Sequence, residues 1–180
     1  MSTTVSQARC EARLVVVMGV SGCGKTSVGA AIAERLQCAF VEGDSLHPPA
    51  NIDKMSAGIP LTDDDRWPWL DVIGDRLAEN HARGESLVVS CSALKRSYRD
   101  RLRKAAGGNL SFVFLEGPRA VLEARMTART GHFMPALLLD SQFATLEKPT
   151  GEPSVVTIDL TQTLDDIVSQ AFTALAKLYQ

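Results

Sequence analysis

The 180-residue sequence has no long hydrophobic run and no strong excess of either charge. Its longest aliphatic run, LVVVM at 14–18, is far shorter than the ~20 residues that a membrane-spanning helix needs. The polar N-terminal segment MSTTVSQARCEAR lacks the apolar core of a signal peptide. A formal net charge of −2 gives no general basic footprint for nucleic acid or for a membrane surface. We therefore expect a cytoplasmic protein that binds neither.

Closely spaced cysteine pairs are also absent. The four cysteines, Cys10, Cys23, Cys38 and Cys91, are widely scattered and form no C-x-x-C motif of the kind that indicates a metal or redox site. Because no export signal precedes them, we expect reduced thiols, as in the cytoplasm.

Strand and helix patterns alternate along the chain after residue 12. Apolar runs predict five strands, at 14–18, 38–44, 86–92, 110–117 and 154–160. Helical patterns lie between and after them, at 25–36, 62–84, 93–108, 118–131 and 163–178. This alternation predicts an α/β fold, in which helices cover both faces of a parallel sheet. We expect a flexible tail at 1–12 and a single domain at 13–180.

Two helix starts carry capping signals. Thr62 is followed three residues later by Asp65, and Thr163 stands in the same relation to Asp166. A hydroxyl at the N-cap with an acidic side chain three residues on is typical of a capping box. Both threonines are therefore predicted to begin helices.

Two segments interrupt the alternation, at roughly 44–61 and 131–152. Each follows an element that should end at the carboxyl edge of the sheet. Ligands of such folds bind beyond this edge. The two segments are therefore the expected places for substrate contacts.

A glycine-rich turn joins the first strand to the first helix. The sequence GVSGCGKT, from Gly19 to Thr26, matches G-x-x-x-x-G-K-[ST]. Its backbone N–H groups and the start of the helix suit a phosphate, and a flexible turn is the alternative. We expect Lys25 to reach the β- and γ-phosphates of a nucleotide and the Thr26 hydroxyl to hold Mg²⁺. The predicted nucleotide-binding residues are Gly19, Val20, Ser21, Gly22, Cys23, Gly24, Lys25, Thr26 and Ser27. Cys23 also suggests sensitivity to thiol alkylation.

Other nucleotide-binding classes lack their motifs here. No N-K-x-D element for reading guanine is present, and the D-x-x-G at 71–74 falls inside a predicted helix. The third strand ends in VVSCSALK rather than in the Asp-Glu pair of many motor ATPases. These features favour phosphoryl transfer to a small acceptor over hydrolysis.

Candidate acceptor-side residues follow the second strand. Asp44 is placed to orient an attacking hydroxyl or to accept its proton, and a turn-forming aspartate is an equal alternative. A loop-structural role is favoured for His47. The acidic run at 63–65 suits a helix N-terminus, which accounts for at least one of its three carboxylates.

Basic residues gather near the second interruption. Arg125 and Arg129 are four residues apart, share a helix face and lead into TGHFMP. Arginines on a closing segment stabilise the charge of a transferring phosphate, although they also complement a helix C-terminus. In the basic run LKRSYRDRLRK, only Lys95 lies next to a strand end.

Four segments together resemble the gluconokinase family of small P-loop sugar-acid kinases: MGVSGCGKTSV, EGDSLHPPANIDKMSAGIPLTDDDRWPWL, SCSALKRSYRDRLR and GHFMPALLLDSQFATLEKP. The resemblance runs from about residue 14 to 160. It implies the P-loop nucleoside-triphosphate-hydrolase-like fold with strand order 2-3-1-4-5 and a mobile lid. It also implies ATP- and magnesium-dependent phosphorylation of D-gluconate at its 6-hydroxyl, commonly by a homodimer.

The resemblance also assigns residue roles. Lys25, Asp44, Arg125 and Arg129 are the catalytic candidates, with a lid at about 125–150. The substrate segment lies at about 44–70, and the candidate substrate contacts are Asp44, His47, Lys54, Asp64, Arg66, Ser92, Lys95 and His132. A kinase for another sugar acid or polyol, or a nucleotide-dependent regulatory protein, remains the alternative.

Overall fold

The computed structural model describes residues 12–128 and 136–179. Five parallel strands form one sheet in the order β2-β3-β1-β4-β5. Their bounds are β1 Leu14–Met18, β2 Ala39–Glu42, β3 Leu87–Ser90, β4 Leu110–Glu116 and β5 Val155–Asp159. The predicted fold class and strand order are confirmed, and β1 lies at the centre of the sheet.

Seven helices and one 3₁₀ turn connect the strands within the described ranges. Their bounds are α1 Lys25–Leu36, the 3₁₀ turn Gly43–Leu46, α2 Pro49–Ser56, α3 Asp63–Arg83, α4 Arg96–Ala105, α5 Arg119–Ala128, α6 Ala136–Thr145 and α7 Leu164–Leu178. None of the helices in these ranges is long and apolar enough to cross a membrane.

The central strand is buried on both faces and divides the core in two. Val15 and Val17 point to one face, where they meet residues of α1 and α7 such as Ile32 and Ala171. Leu14 and its alternating neighbours point to the other face, against α3 and α4. Alternation of side chains along a strand explains this division, and burial on both faces is typical of parallel sheets.

The structure corrects several element boundaries. β2 ends at Glu42, and the residues predicted to extend it form the 3₁₀ turn. The two interruptions contain α2 and α6, which the sequence pattern did not reveal. α2 is short and buries only Asn51, so it has no apolar stripe to detect. The capping box of Thr62 with Asp65 is confirmed.

A buried ion pair fastens the segment before β5 to α4. Arg99 is fully buried, and its Nη2 and Nε lie 2.5 and 3.0 Å from the two carboxylate oxygens of Glu152. Its other hydrogen bonds go to backbone carbonyls, including Ala93 at 2.7 Å and Glu147 at 2.9 Å. Through these hydrogen bonds, Arg99 holds the chain that follows α6 against the loop after β3.

Candidate active site

The phosphate loop lies between β1 and α1, at the carboxyl edge of the sheet. Gly24 is the N-cap of α1 with φ 95°, a left-handed conformation that favours glycine. Lys25 curls back over the loop, and its Nζ donates to the carbonyls of Gly19 and Val20 at 3.1 Å each. The predicted loop residues therefore form one continuous turn at the helix start, where an anion is favoured.

The carboxylate of Glu42, which was not predicted as a site residue, contacts the end of the phosphate loop. The Thr26 hydroxyl donates to one oxygen of Glu42, and the Ser90 hydroxyl donates to the other. Glu42 ends β2 and Ser90 ends β3, so adjacent strand ends assemble the contact. Hydroxyl and carboxylate oxygens are the ligands that Mg²⁺ prefers. An acidic residue at a predicted strand end was the available signal.

The donor set of Thr26 and Glu42 fits a magnesium ion that binds mainly to phosphates. Within residues 12–128 and 136–179, no group of three or more His, Cys, Asp or Glu residues forms a metal site. A protein cage for the ion is therefore not present in those ranges. Mg²⁺ typically keeps several waters and takes one or two protein ligands beside substrate phosphates, which this pair matches.

Glycine at position 43 brings the chain into contact with β3 before it turns toward the pocket. A Cβ placed on Gly43 would lie 1.9 Å from the carbonyl oxygen of Ser90, so no other residue fits. Asp44 follows, with 66% of its side chain exposed. In the described ranges its carboxylate accepts no hydrogen bond, which argues against the turn-forming alternative. Asp44 and Lys25 line the same pocket.

His47 lies beneath this pocket. The residue is 8% exposed, and its ring stacks on Trp69 with a centroid distance of 4.0 Å and an angle of 16°. Its Nε2 lies 4.0 Å from Oδ1 of Asp44, which is too long for a hydrogen bond. Burial lowers the pKa of His47 to about 4, so the ring is neutral at pH 7. His47 therefore has the expected structural role, and it also lines the pocket.

Arg66 is the pocket cation on the acceptor side. Its Nη1 donates to the Leu61 carbonyl at 2.6 Å and to the Tyr98 hydroxyl at 3.3 Å. No other nitrogen of this guanidinium donates to a partner within the described residues, and Arg66 lines the pocket. One end of the guanidinium is thus fixed, and donors remain for a ligand such as a carboxylate.

Other predicted substrate contacts do not line the pocket. Lys54 Nζ lies 2.8 Å from both carboxylate oxygens of Asp65, and Lys95 Nζ lies 2.9 Å from both of Asp63. The Lys54 ammonium is the largest cause that lowers the pKa of Asp65, to about 2. Asp64 is exposed and is not among the pocket residues. Ser92, in contrast, lines the pocket as predicted.

The predicted lid residues are only partly described. Arg125 Nη2 donates to the Leu160 carbonyl at 2.8 Å, and Arg125 does not line the pocket. Arg129 and His132 lie outside the described residues. The expected grouping of Arg125 with Lys25 and Asp44 is therefore not seen.

Helix α6 contributes a contact that sequence reasoning missed. Leu138, Ser141 and Gln142 line the pocket. The side-chain oxygen of Gln142 accepts the backbone N–H of Ser21 at 2.6 Å. This N–H belongs to the phosphate loop, so Gln142 lies where the loop would contact an anion.

The hypothesis of a reactive loop thiol does not agree with the structure. Cys23 is 1% exposed, and its Sγ packs 3.9 Å from Lys25 Nζ. A buried thiol is poorly accessible to an alkylating reagent. The three described cysteines, Cys23, Cys38 and Cys91, are free.

Comparison with known proteins gives consistent matches over most of the chain. A family model described as an AAA domain matches residues 14–149. The chain is 49% identical to the gluconokinase of Gluconobacter oxydans, over 88% of each protein. It is 43% identical to the thermosensitive gluconokinase of Escherichia coli, over 92% of this chain and 88% of that protein. A crystal structure of a gluconokinase from Sinorhizobium meliloti is 60% identical, with a TM-score of 0.87 and 94% of each chain covered.

Proposed function

The chain belongs to the gluconokinase family and, through the model that it matches, to the wider AAA domain family, and we propose that it transfers the γ-phosphoryl group of ATP to the 6-hydroxyl of D-gluconate. The observation that carries the proposal is a single pocket lined by Lys25 of the phosphate loop, the Asp44 carboxylate and the Arg66 guanidinium. These groups suit a phosphate, a hydroxyl and a substrate carboxylate respectively.

The nucleotide side of the proposal uses the phosphate loop. Residues 19–27 bind the phosphates of ATP through backbone N–H groups and the start of α1. The Thr26 hydroxyl and the Glu42 carboxylate would together hold Mg²⁺. When bound, the ion neutralises charge that develops on the β- and γ-phosphates.

The acceptor side uses the opposite part of the pocket. The donors of Arg66 that face the pocket bind the carboxylate of gluconate, and Ser92 offers its hydroxyl to the sugar acid from the same pocket. The paired cations Lys54 and Lys95 support this surface through Asp65 and Asp63 rather than contacting the substrate. Their role is inferred from the short ion pairs that they form.

Transfer proceeds by direct in-line displacement. The oxygen of the 6-hydroxyl forms a bond to the γ-phosphorus while the bond from phosphorus to the bridging oxygen of ADP breaks. The hydroxyl proton passes to the Asp44 carboxylate, which also orients the hydroxyl. Lys25 stabilises charge on the transferring group through its ammonium.

The segment at about 125–150 acts as a lid in this proposal. Support comes from α6, whose residues 138, 141 and 142 line the pocket. Arg125 contributes to catalysis only after leaving the carbonyl of Leu160. Arg129 and His132 complete the proposed lid contacts, and closure excludes water from the transferring phosphate.

The function is tested by coupled ADP release with Mg²⁺-ATP against D-gluconate, other aldonic acids, shikimate, AMP and water alone. We expect a rate specific to gluconate that Asp44→Asn lowers by roughly 10²- to 10⁴-fold, the usual contribution of a positioned acid or base. Preference for another sugar acid would keep the mechanism and change the substrate. ATP binding without acceptor-dependent ADP release would indicate a binding protein instead.

We also propose a cytoplasmic homodimer. The family resemblance supports the dimer, and the free thiols of Cys23, Cys38 and Cys91 suit a reducing compartment. Sedimentation analysis should give twice the mass of one chain, and a monomer at micromolar concentration would contradict the proposed assembly.

A further inference from the structure

The His47 ring has a polar neighbour at each nitrogen in addition to its stacking on Trp69. Its Nδ1 lies within hydrogen-bond distance of Nδ2 of Asn51, at 3.2 Å, and its Nε2 lies 4.0 Å from Oδ1 of Asp44. Asn51 is 3% exposed and is the only buried residue of α2. The one residue that α2 buries thus contacts the histidine of the pocket.

A second hydrogen bond fixes the orientation of the Asn51 amide. Nδ2 of Asn51 donates to the backbone carbonyl of Asp65 at 2.8 Å. A carbonyl oxygen only accepts hydrogen bonds, so the atom that faces it must be the NH₂ group. The same NH₂ group faces His47, and therefore Nδ1 of His47 must accept. A neutral imidazole that accepts at Nδ1 carries its hydrogen on Nε2.

The hydrogen on Nε2 then points to the reactive side of the pocket. Asp44 is the carboxylate nearest to it, and the side chain of Asp44 is mostly exposed. In the proposed arrangement, the Asp44 carboxylate approaches Nε2 by about 1 Å from its distance of 4.0 Å, which brings the two atoms to hydrogen-bond length. One oxygen of Asp44 would then be held, with the other left for the acceptor hydroxyl.

We propose that Asn51 locks His47 in its Nε2–H tautomer and thereby makes His47 a fixed hydrogen-bond donor that positions the Asp44 carboxylate for phosphoryl transfer. His47 is a positioning residue in this scheme, and the proton of the acceptor hydroxyl goes to Asp44. The inference rests on the proposed function insofar as Asp44 acts on the acceptor.

The charges around the ring are compatible with a neutral donor. The charged groups that face His47 are Asp44 on the 3₁₀ turn and Arg66 on α3. Burial lowers the pKa of His47 most strongly, Arg66 lowers it further, and Asp44 opposes both. An imidazolium would also place an N–H of Nδ1 against the NH₂ of Asn51, so that two donors would meet.

Nitrogen NMR of ¹⁵N-histidine-labelled protein tests the tautomer directly. The chain has three histidines, and His47→Gln identifies the signal of His47. We expect a neutral Nε2–H ring from pH 8 to about pH 5.5, well above the lowered pKa. Asn51→Asp replaces the donor with an acceptor and should shift the signal toward imidazolium at neutral pH. An Nδ1–H tautomer, or titration near pH 6.5, in the unmodified protein would overturn the proposal.

A double-mutant cycle tests the positioning role. His47→Phe keeps a ring against Trp69 but removes the donor, and we expect kcat to fall roughly 10- to 100-fold, as for the loss of a hydrogen bond to a charged group. His47→Gln, which restores an N–H near Nε2, should recover much of that loss. In an Asp44→Asn background, His47→Phe should have little further effect.

Controls separate this inference from the proposed function. His81→Phe, on the exposed side of α3, should leave kcat unchanged. Full additivity of His47→Phe with Asp44→Asn, or normal turnover of a folded His47→Phe enzyme, would overturn the positioning role alone. An unmodified enzyme without gluconate-dependent turnover would overturn the proposed function and the positioning role together, and the NMR result would still decide the tautomer.

Discussion

The phosphate loop and the acceptor wall, which comprises residues 43–66, contribute to the same pocket but are built differently. The loop consists of consecutive residues whose shape comes from their own backbone, as the φ of 95° at Gly24 illustrates. The acceptor wall depends on side-chain contacts between α2, α3 and α4, such as Tyr98 with Arg66. The comparison shows that one half of the site is encoded locally and the other half depends on the tertiary fold.

The largest expected effect comes from the local half. Lys25→Ala removes the only ammonium that lines the pocket among the described residues, and kcat should fall by at least ~10²- to 10³-fold, since charge on the transferring phosphate loses a partner. The fold and the binding of gluconate should be unaffected. Steady-state kinetics measure kcat and the KM for gluconate, and a thermal melt reports on the fold. Lys104→Ala, at an exposed position of α4, is the control. Substantial turnover in folded Lys25→Ala would assign the charge stabilisation to other residues.

An intermediate effect should distinguish two cations of the acceptor wall. Arg66→Met removes donors that face the pocket, and KM for gluconate should rise roughly 10- to 100-fold with KM for ATP unchanged. Lys54→Met, which removes a cation already paired with Asp65, should leave KM for gluconate unchanged. It should lower stability only slightly, because a solvent-accessible ion pair contributes little to the free energy of unfolding.

Equal increases in KM for the two variants would contradict this assignment, because they would place Lys54 at the substrate. Activity assays across a range of gluconate concentrations measure KM, and urea denaturation measures stability. An increase in KM for Arg66→Met alone would show that the acceptor wall contains one substrate cation supported by paired neighbours.

The smallest expected effect concerns the contact between the phosphate loop and α6. Gln142→Leu removes the side-chain oxygen that occupies the Ser21 N–H, so ATP would no longer have to displace it. The Kd for ATP, measured by calorimetry without gluconate, should fall about two- to tenfold, the usual range for one hydrogen bond. Asn109→Leu, remote from the pocket, serves as the matched control. Weaker ATP binding in Gln142→Leu would instead make Gln142 a contact of the nucleotide.

The same contrast explains what could be predicted from the sequence. The turn between β1 and α1 and the Thr62 capping box depend on residues within a few positions of one another, and both local structures were predicted correctly. The partner of Arg99, in contrast, lies 53 positions away at Glu152. Such a pairing leaves no periodic signal, because only the packed fold brings the two side chains together.

Single residues show the same limit within the site. Lys54, Lys95 and Arg66 carry the same charge, and the family resemblance assigned all three to the substrate. The structure distinguishes them by the carboxylates that they already hold. Glu42 was not predicted as a site residue, because its contacts with Thr26 and Ser90 depend on the pairing of β2 with β3.

The close packing of Gly43 against Ser90 has a consequence for redesign. In the proposed mechanism, Glu42 on one side of this glycine acts on the nucleotide, and Asp44 on the other side acts on the acceptor. Because a Cβ at position 43 would lie 1.9 Å from the Ser90 carbonyl, any bulkier residue would shift both carboxylates at once. An engineer who seeks a kinase for a longer or shorter sugar acid should therefore vary the surroundings of Arg66 and keep the Gly43 peptide intact.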